Sequence, residues 1–390
     1  MLLAFTGFYL QLSLSIFALI VSVVMLVMLL INYRQIVRLL DVPIPQLDAW
    51  PTVSLIAPAR NEERNIEAAM RSLLALDYPH LQITIINDRS TDRTGEILER
   101  LAAEEPRLNV VEIAKLPPGW LGKNHALHVG ARRSDGEWLL FTDADILFEP
   151  TTLRRAIGYA REHLLDHLAA YPDVRMPSWL LNAFVITFAT MFTMFIRPWQ
   201  VRDPKSKAYI GIGAFNLVSA AAYRTAGGHV PIRMRPDDDL KLGHLMKLNG
   251  FRSDVVNGQG AVTVEWYSTL GEMVRGLEKN SAAPLEYSLP AVTGSVLVLF
   301  FAYIWPFLAV WFTSGWTQLC FAAAIVLLLI ANCLTAIDVK QPLWRALLFP
   351  LAIAIFAYIN ARGMVLLLIR GGIQWRDTFY PLAALKENRI

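Results

Sequence analysis

Asp143 and Asp145 stand one residue apart where an apolar run, Trp138-Leu139-Leu140-Phe141-Thr142, stops. Two carboxylates at the carboxyl end of a buried strand can grip a divalent cation, and in open α/β sheets ligands bind at that end of the strands. Mg²⁺ typically takes one or two carboxylates plus substrate phosphate oxygens. Taken alone, the pair fits an Asp-rich turn equally well.

Three further clusters share the pattern. Pro58-Ala59-Arg60-Asn61-Glu62-Glu63 follows the apolar run Val53 to Ala57. Asn87-Asp88-Arg89-Ser90-Thr91-Asp92-Arg93-Thr94 follows Ile83 to Ile86. Pro236-Asp237-Asp238-Asp239-Leu240 opens a helical stretch that runs to Leu248. Asn61 and Ser90 also suit helix caps, and the Asp237–Asp239 run suits a helix N-terminus. Yet the first three clusters all end strands, which puts them on one edge of one sheet.

The elements that must position them alternate. Strands are expected at 53–57, 83–86, 109–113 and 138–142, with helices at 62–76, 96–103 and 123–131. Such alternation predicts a mostly parallel sheet covered by helices. Lys123 falls at a helix start after Gly119 and Gly122, where a cation and free N–H groups suit a diphosphate. Gly211 and Gly213 permit close backbone approach to a ligand. His125 and His128 have no carboxylate placed to complete a metal site, and His229 after Gly227-Gly228 reads as a loop or capping residue.

The chain has 390 residues, 55% hydrophobic and 18% charged, with mean hydropathy +0.39. That is too apolar for an ordinary soluble enzyme and too charged for a pure membrane bundle. The charges concentrate in the middle, so a soluble domain between membrane segments is expected. The net charge of +3 says little about partners; nothing resembles a basic nucleic-acid arm, so no nucleic-acid partner is expected. Cys320 and Cys333, both in apolar segments, offer neither a disulfide framework nor zinc spacing.

The first apolar segment, Phe8 to Ile31, reads as an uncleaved anchor. Arg34 and Arg38 follow it and place that side in the cytoplasm by the positive-inside rule. The expected organisation is an anchor at 1–33, a catalytic domain at 50–285 and membrane helices at 286–370, with a cytoplasmic or interfacial tail at 371–390. The apolar stretch 178–200 is expected as an interfacial helix, since a full span there would split the domain across the bilayer. The last apolar segment, 343–369, holds Pro350 and Asn360 and reads as one tilted helix or a tight hairpin. Three full spans after the domain would put the basic tail outside, against the positive-inside rule.

The order of these motifs, from Thr52 to Asn280, resembles the family 2 glycosyltransferases, whose nucleotide-sugar-binding α/β fold is called GT-A. Leu116-Pro117-Pro118-Gly119-Trp120-Leu121-Gly122-Lys123, followed by membrane helices, is similar to the branch associated with hopanoid and carotenoid glycosylation. The likeness to ceramide glucosyltransferases is more distant. The resemblance implies a GT-A domain with transmembrane helices at both ends. It implies Mg²⁺ or Mn²⁺, a nucleotide-sugar donor with UDP-sugar as the leading expectation, a lipid acceptor and a multi-pass cell-membrane location.

Residue by residue, it implies that Asp88 contacts the nucleobase and that Glu62, with Pro58 and Arg60, lies by the nucleoside. Asp143 would face the ribose or the metal, Asp145 the metal itself, and Lys123 the diphosphate. The acidic pair would supply the general base, Asp239 by the family spacing or Asp238 with a one-residue shift. Gly213 would line the sugar site. Arg275 would reach the diphosphate or lie at the lipid interface. Two departures matter. Asn87 replaces an aspartate of many members, and Val274 to Asn280 lacks the Arg-Trp pair of polymerising members. The second favours a single transfer to a lipid over the alternative of a polysaccharide synthase. A non-catalytic membrane partner retaining the fold is the alternative from another class.

Overall fold

Ten strands in the middle of the chain build two sheets: β1 (Val53–Ala59), β2 (Leu81–Asp88), β3 (Leu108–Ile113), β4 (Trp138–Phe141), β5 (Leu147–Phe148), β6 (His167–Tyr171), β7 (Asp173–Arg175), β8 (Asn216–Ser219), β9 (Ser253–Asn257) and β10 (Val262–Glu265). This is a computed structural model that describes residues 2–375 and 378–388. The chain divides into two compact units, one of 36–175, 198–266 and 383–390, the other of 1–35, 176–197 and 267–382.

The first unit holds a seven-stranded sheet of order β3-β2-β1-β4-β8-β6-β9 and a three-stranded sheet β5-β10-β7. β1 pairs in parallel with both β2 and β4, and β2 with β3. β8 runs antiparallel between β4 and β6, and β9 is parallel to β6. The sheet is therefore mixed and mostly parallel, as expected. The chain walks from β1 outward to β3 and then returns to lay β4 on β1's other side. That reversal makes a switch point, and a crevice opens beyond the carboxyl ends of the strands beside it.

Both faces of this sheet are covered. Leu55, Ile83, Ile85, Leu140 and Leu168 join one apolar core, and Ile56, Leu139, Phe141 and Val218 join another on the opposite face. Strand alternation sends successive side chains to opposite faces, so these strands read as continuous apolar runs. β1 continues through Pro58, where the sequence suggests a stop. Its pairing with β4 covers only Val53–Ile56, whereas its pairing with β2 runs to Ala59. The proline's missing N–H thus faces no β4 partner.

The second unit is helical, with a short hairpin of β11 (Gly372–Trp375) and β12 (Thr378–Pro381). Among the described residues five helices are long and apolar enough to cross a membrane: Tyr9–Gln35, Trp179–Gln200, Leu289–Ala309, Gly315–Asp338 and Phe349–Arg370. Polar side chains join some of them. Thr190 donates to Thr335 at 2.9 Å, the kind of contact that holds helices together in lipid, and Gln341, just past the helix Gly315–Asp338, donates to Asn182 at 3.4 Å. The last apolar segment is neither of the expected forms. A short helix, Leu343–Ala346, breaks ahead of Pro350 and a longer one, Phe349–Arg370, follows.

Candidate active site

At the β1 and β2 ends, two loops fasten each other. Asn61 takes the left-handed conformation at φ 55°, and its side-chain oxygen accepts from the Thr91 amide at 2.8 Å. The Glu62 amide donates to Thr94 Oγ1 at 2.8 Å, and the Glu63 amide to Asp92 at 3.1 Å. The expected capping role of Asn61 is therefore wrong, because the helix begins only at Ile66. Ser90 is likewise no cap. It accepts from the Asn61 amide, while Asp92 accepts from the Thr94 amide at the helix start.

Asp88 is buried at the end of β2, and Arg89 grips both of its oxygens at 2.7 and 2.8 Å. Arg60 approaches the same carboxylate at 4.0 Å. The expected base-contacting aspartate is thus already an ion-pair partner. The sequence shows Arg89 beside it but not this grip. Gly122 closes over the pair, since a Cβ there would sit 2.7 Å from both Asp88 Oδ2 and Arg89 Nη2.

The helix Gly122–Arg132 starts at that point and aims Lys123 across the crevice. Its ammonium lies 2.8 Å from Asp143 Oδ1 and 3.8 Å from Asp238 Oδ1. Burial disfavours that charge, but Asp143, Asp238 and Asp239 outweigh it and raise the lysine's pKa. Asp143 follows Thr142, whose hydroxyl donates to the Ala214 carbonyl at 2.8 Å. This bond ties the end of β4 to the stretch carrying Gly213.

Gly213 meets both acidic groups. Its amide donates to Asp239 Oδ2 at 2.8 Å, and a Cβ there would lie 2.8 Å from Asp143 Oδ2. Lys123, Asp143, Gly213, Asp238 and Asp239, with Thr142, line a cavity of about 10 Å³, room for about one water molecule.

The two aspartates of the pair differ in access. Asp238 is buried at 3% exposure, whereas Asp239 is half-buried. Burial pushes the Asp238 pKa up to about 7, with Lys123 opposing and Asp239 reinforcing the shift. Burial raises Asp239 as well, against Lys123 and the Leu240 amide. Asp145 is half-buried, and burial with the neighbouring charges of Asp143 and Glu62 pushes its pKa up to about 7.

Pro58, Arg60, Glu62, Asp88, Lys123, Asp143, Asp145, Gly213, Asp238 and Asp239 all lie in the sheet-bearing unit. Arg275 belongs to the helical unit, on the helix Leu270–Glu278. Among the described residues no cluster of three or more His, Cys, Asp or Glu side chains could hold a metal ion, so any cation would rest on the aspartate pair and a ligand's oxygens.

Several supporting residues escape sequence reasoning. Asn216 donates to the Asp239 carbonyl at 3.3 Å, and its oxygen meets His167 Nε2, whose Nδ1 faces Ser253. His229 lies in the turn after the helix that ends at Thr225, as expected of a loop residue. It is buried, and its Nδ1 lies 2.6 Å from the Tyr223 hydroxyl. His125 and His128 flank Trp120, at ring distances of 5.6 and 4.9 Å.

Residues 54–224 match the family model described as glycosyl transferase family 2. They form a family 2 glycosyltransferase domain. The chain is 24% identical over 246 residues to the 4,4'-diaponeurosporenoate glycosyltransferase of Staphylococcus haemolyticus, covering 62% of this chain and 64% of that protein. It is 36% identical over 112 residues to the beta-monoglucosyldiacylglycerol synthase of Synechocystis, covering 28% of this chain and 23% of that one. The chain thus spans between 23% and 64% of the length of these curated relatives. The mannosyltransferase PcManGT from Pyrobaculum calidifontis, solved with GDP-Man and Mn²⁺, superposes with a TM-score of 0.53 at 17% identity, over 91% of this chain and 99% of that one. That likeness shows the fold, and the expected GT-A architecture stands in this family 2 domain.

Proposed function

We propose that this family 2 domain transfers a sugar from a nucleotide diphosphate sugar to a lipid hydroxyl, with inversion. The observation that carries the reading is the meeting of Lys123, Asp143, Asp238 and Asp239 around Gly213 at the sheet's switch point. The activities of the two relatives, glycosyl transfer to 4,4'-diaponeurosporenoate and synthesis of beta-monoglucosyldiacylglycerol, support the lipid acceptor.

Asp239 is the better base because it is the accessible member of the pair. A carboxylate with a raised pKa is suited to take a proton in the transition state. The acceptor oxygen attacks the anomeric carbon, its proton passes to Asp239, and the bond to the diphosphate breaks with its electron pair leaving on the nucleotide. Gly213 and Leu240 hold Asp239 through their amides at 2.8 Å each. Lys123 ties Asp143 to the acidic pair and brings positive charge to the crevice. Asp88, buried and oriented by Arg89, would accept an N–H from the base, UDP being the leading donor. Glu62, Arg60 and Pro58 would line the nucleoside side. Arg275, on the helical unit, serves the lipid interface.

The donor set suits a divalent cation. Asp145 is crowded by Asp143 and Glu62, a repulsion that a cation would relieve. Bound Mg²⁺ or Mn²⁺ would neutralise charge on the departing diphosphate.

The membrane reading follows the chain path. The chain leaves the sheet-bearing unit at Arg175 and rejoins it at Pro198, and β8 then inserts between β4 and β6. The helix Trp179–Ile196 therefore starts and ends on one side of a bilayer, which favours an interfacial or re-entrant placement. The chain leaves again at Trp266 and rejoins at Ala383, which requires an even number of crossings, and we read two of the three later apolar helices as crossing and one as not. Phe349–Arg370 is the one that does not. Arg362 pairs with Glu278 at 2.7 Å, and the rise from Phe349 to Arg362 is roughly 20 Å, short of the roughly 30 Å hydrocarbon core. Both excursions then return to the cytoplasmic face, and the basic tail with them.

A thermal-shift screen of nucleotide sugars with Mn²⁺ or Mg²⁺ tests the donor. Stabilisation by one nucleotide class only with the cation is expected through linkage. No shift with any nucleotide sugar would remove the reading.

A further inference from the structure

The loop ahead of the acidic pair is held from two sides. From one side, Asn124 donates to the carbonyls of Ile232 and Arg235 at 2.7 and 2.9 Å, and the Leu121 amide donates to the Arg233 carbonyl at 2.9 Å. From the other, a residue distant in sequence reaches in. Asn388 donates through Nδ2 to the Pro231 carbonyl at 2.7 Å, and its Oδ1 accepts from the Met234 amide at 2.8 Å. Leu385, fully buried, anchors the segment that carries it.

This contact has consequences for the site. One amide side chain that satisfies both a donor and an acceptor of the same loop fixes its position and its orientation. Met234 is buried, so its amide has few other partners. The next residue, Arg235, is fully buried and grips Asp237 with two bonds of 2.9 Å. Asp237 leads directly into Asp238 and Asp239. A displacement of the loop at Met234 is therefore passed to the acidic pair through a rigid buried ion pair. The same segment continues covalently from the helix Phe349–Arg370 through β11 and β12.

We propose that Asn388 is a positioning residue, a clamp that sets the loop 231–235 and through it the Asp238–Asp239 pair. The inference rests on the reading of Asp239 as the base. It also ties the acidic loop, by chain connectivity, to the apolar helices that would handle a lipid acceptor.

The test uses the full-length protein reconstituted in lipid, with Asn388→Ala and Asn388→Asp. The aspartate variant keeps an acceptor for the Met234 amide and loses the donor to Pro231. Hydrogen exchange across residues 229–240 is expected to quicken in Asn388→Ala and less so in Asn388→Asp. In the same order, kcat is expected to fall, by about tenfold in the alanine variant, with the donor KM within about twofold of wild type. Unchanged exchange in both variants would overturn the clamp, whatever the activity. Faster exchange with unchanged kcat would reduce it to a fold contact and overturn the positioning role. Absence of transfer by the wild type would instead remove the reading of Asp239, while the exchange data would still decide the clamp.

Discussion

At the ends of β1 and β2, Asp88 holds Arg89 through two bonds, and two loops satisfy each other's amides. At the end of β4 and the start of the helix Asp238–Leu248, one ammonium, Lys123, serves Asp143 and Asp238 while Asp239 stands half-buried beside them. The first region is closed on itself electrostatically. The second carries more carboxylate than cation, and its burial lifts Asp145 and Asp238 to about 7. Groups held near neutrality in a crevice are poised for proton transfer or for a cation. Paired groups such as Asp88 and Arg89 are suited to hold shape. Under the proposed function, the difference divides the site into a part that binds and a part that reacts.

The sharpest break between the two regions is at Asp239. Asp239→Asn is expected to lower kcat by about 10²- to 10⁴-fold with nucleotide binding intact, as measured by transfer rates beside a thermal shift. A loss of nucleotide binding instead would move Asp239 to the binding side. Gly213→Ala comes next, because its Cβ would press on Asp143 Oδ2 at 2.8 Å. Transfer should fall roughly tenfold or more through misplacement of reacting groups, with the melting temperature nearly unchanged.

Arg89→Ala probes the other region. Donor KM should rise about fivefold with kcat near wild type, the mark of lost uniform binding. A kcat defect without a KM change would erase the division.

The smallest effect concerns stability and pH. Burial lowers the His167 pKa from 6.5 to about 4, against the bond to Asn216, and lowers His229 to about 3, with His128 and Lys123 reinforcing. A pKa depressed on folding means that the unfolded chain binds more protons between these values and 6.5. Stability from these residues is therefore complete above about 6.5 and is lost as pH falls toward 4 and then 3. The melting temperature should decline over that window, less steeply in His167→Gln. An equal decline in both proteins would exclude His167 as a source.

Much of the reacting region is legible in the sequence. β1, β2 and β4 are buried on both faces and so carry near-continuous apolar runs, whereas β3 at the sheet edge exposes Asn109 and Glu112; the carboxylates Asp143 and Asp145 mark where β4 ends. Asp238 and Asp239 are visible because acidic residues open a helix. The binding region is less legible. Asn61 looks like a cap, and only its left-handed backbone and its bond to Thr91 reveal a loop fastener. Arg89's grip on Asp88 depends on a side-chain path that no spacing encodes. β5 and β7, at two and three residues, are too short to carry a period. Asn388 and Asn216 act through tertiary contacts, and a single amide leaves no pattern.

The most direct measurement is transfer of labelled sugar from a nucleotide sugar to extracted membrane lipids. It would compare the wild type with Asp145→Ala, each titrated with Mn²⁺ and then with chelator. The account predicts labelled lipid from the wild type only with the cation, and at least roughly a hundredfold less from Asp145→Ala at every concentration. Equal transfer by the two proteins, or transfer indifferent to chelator, would contradict it.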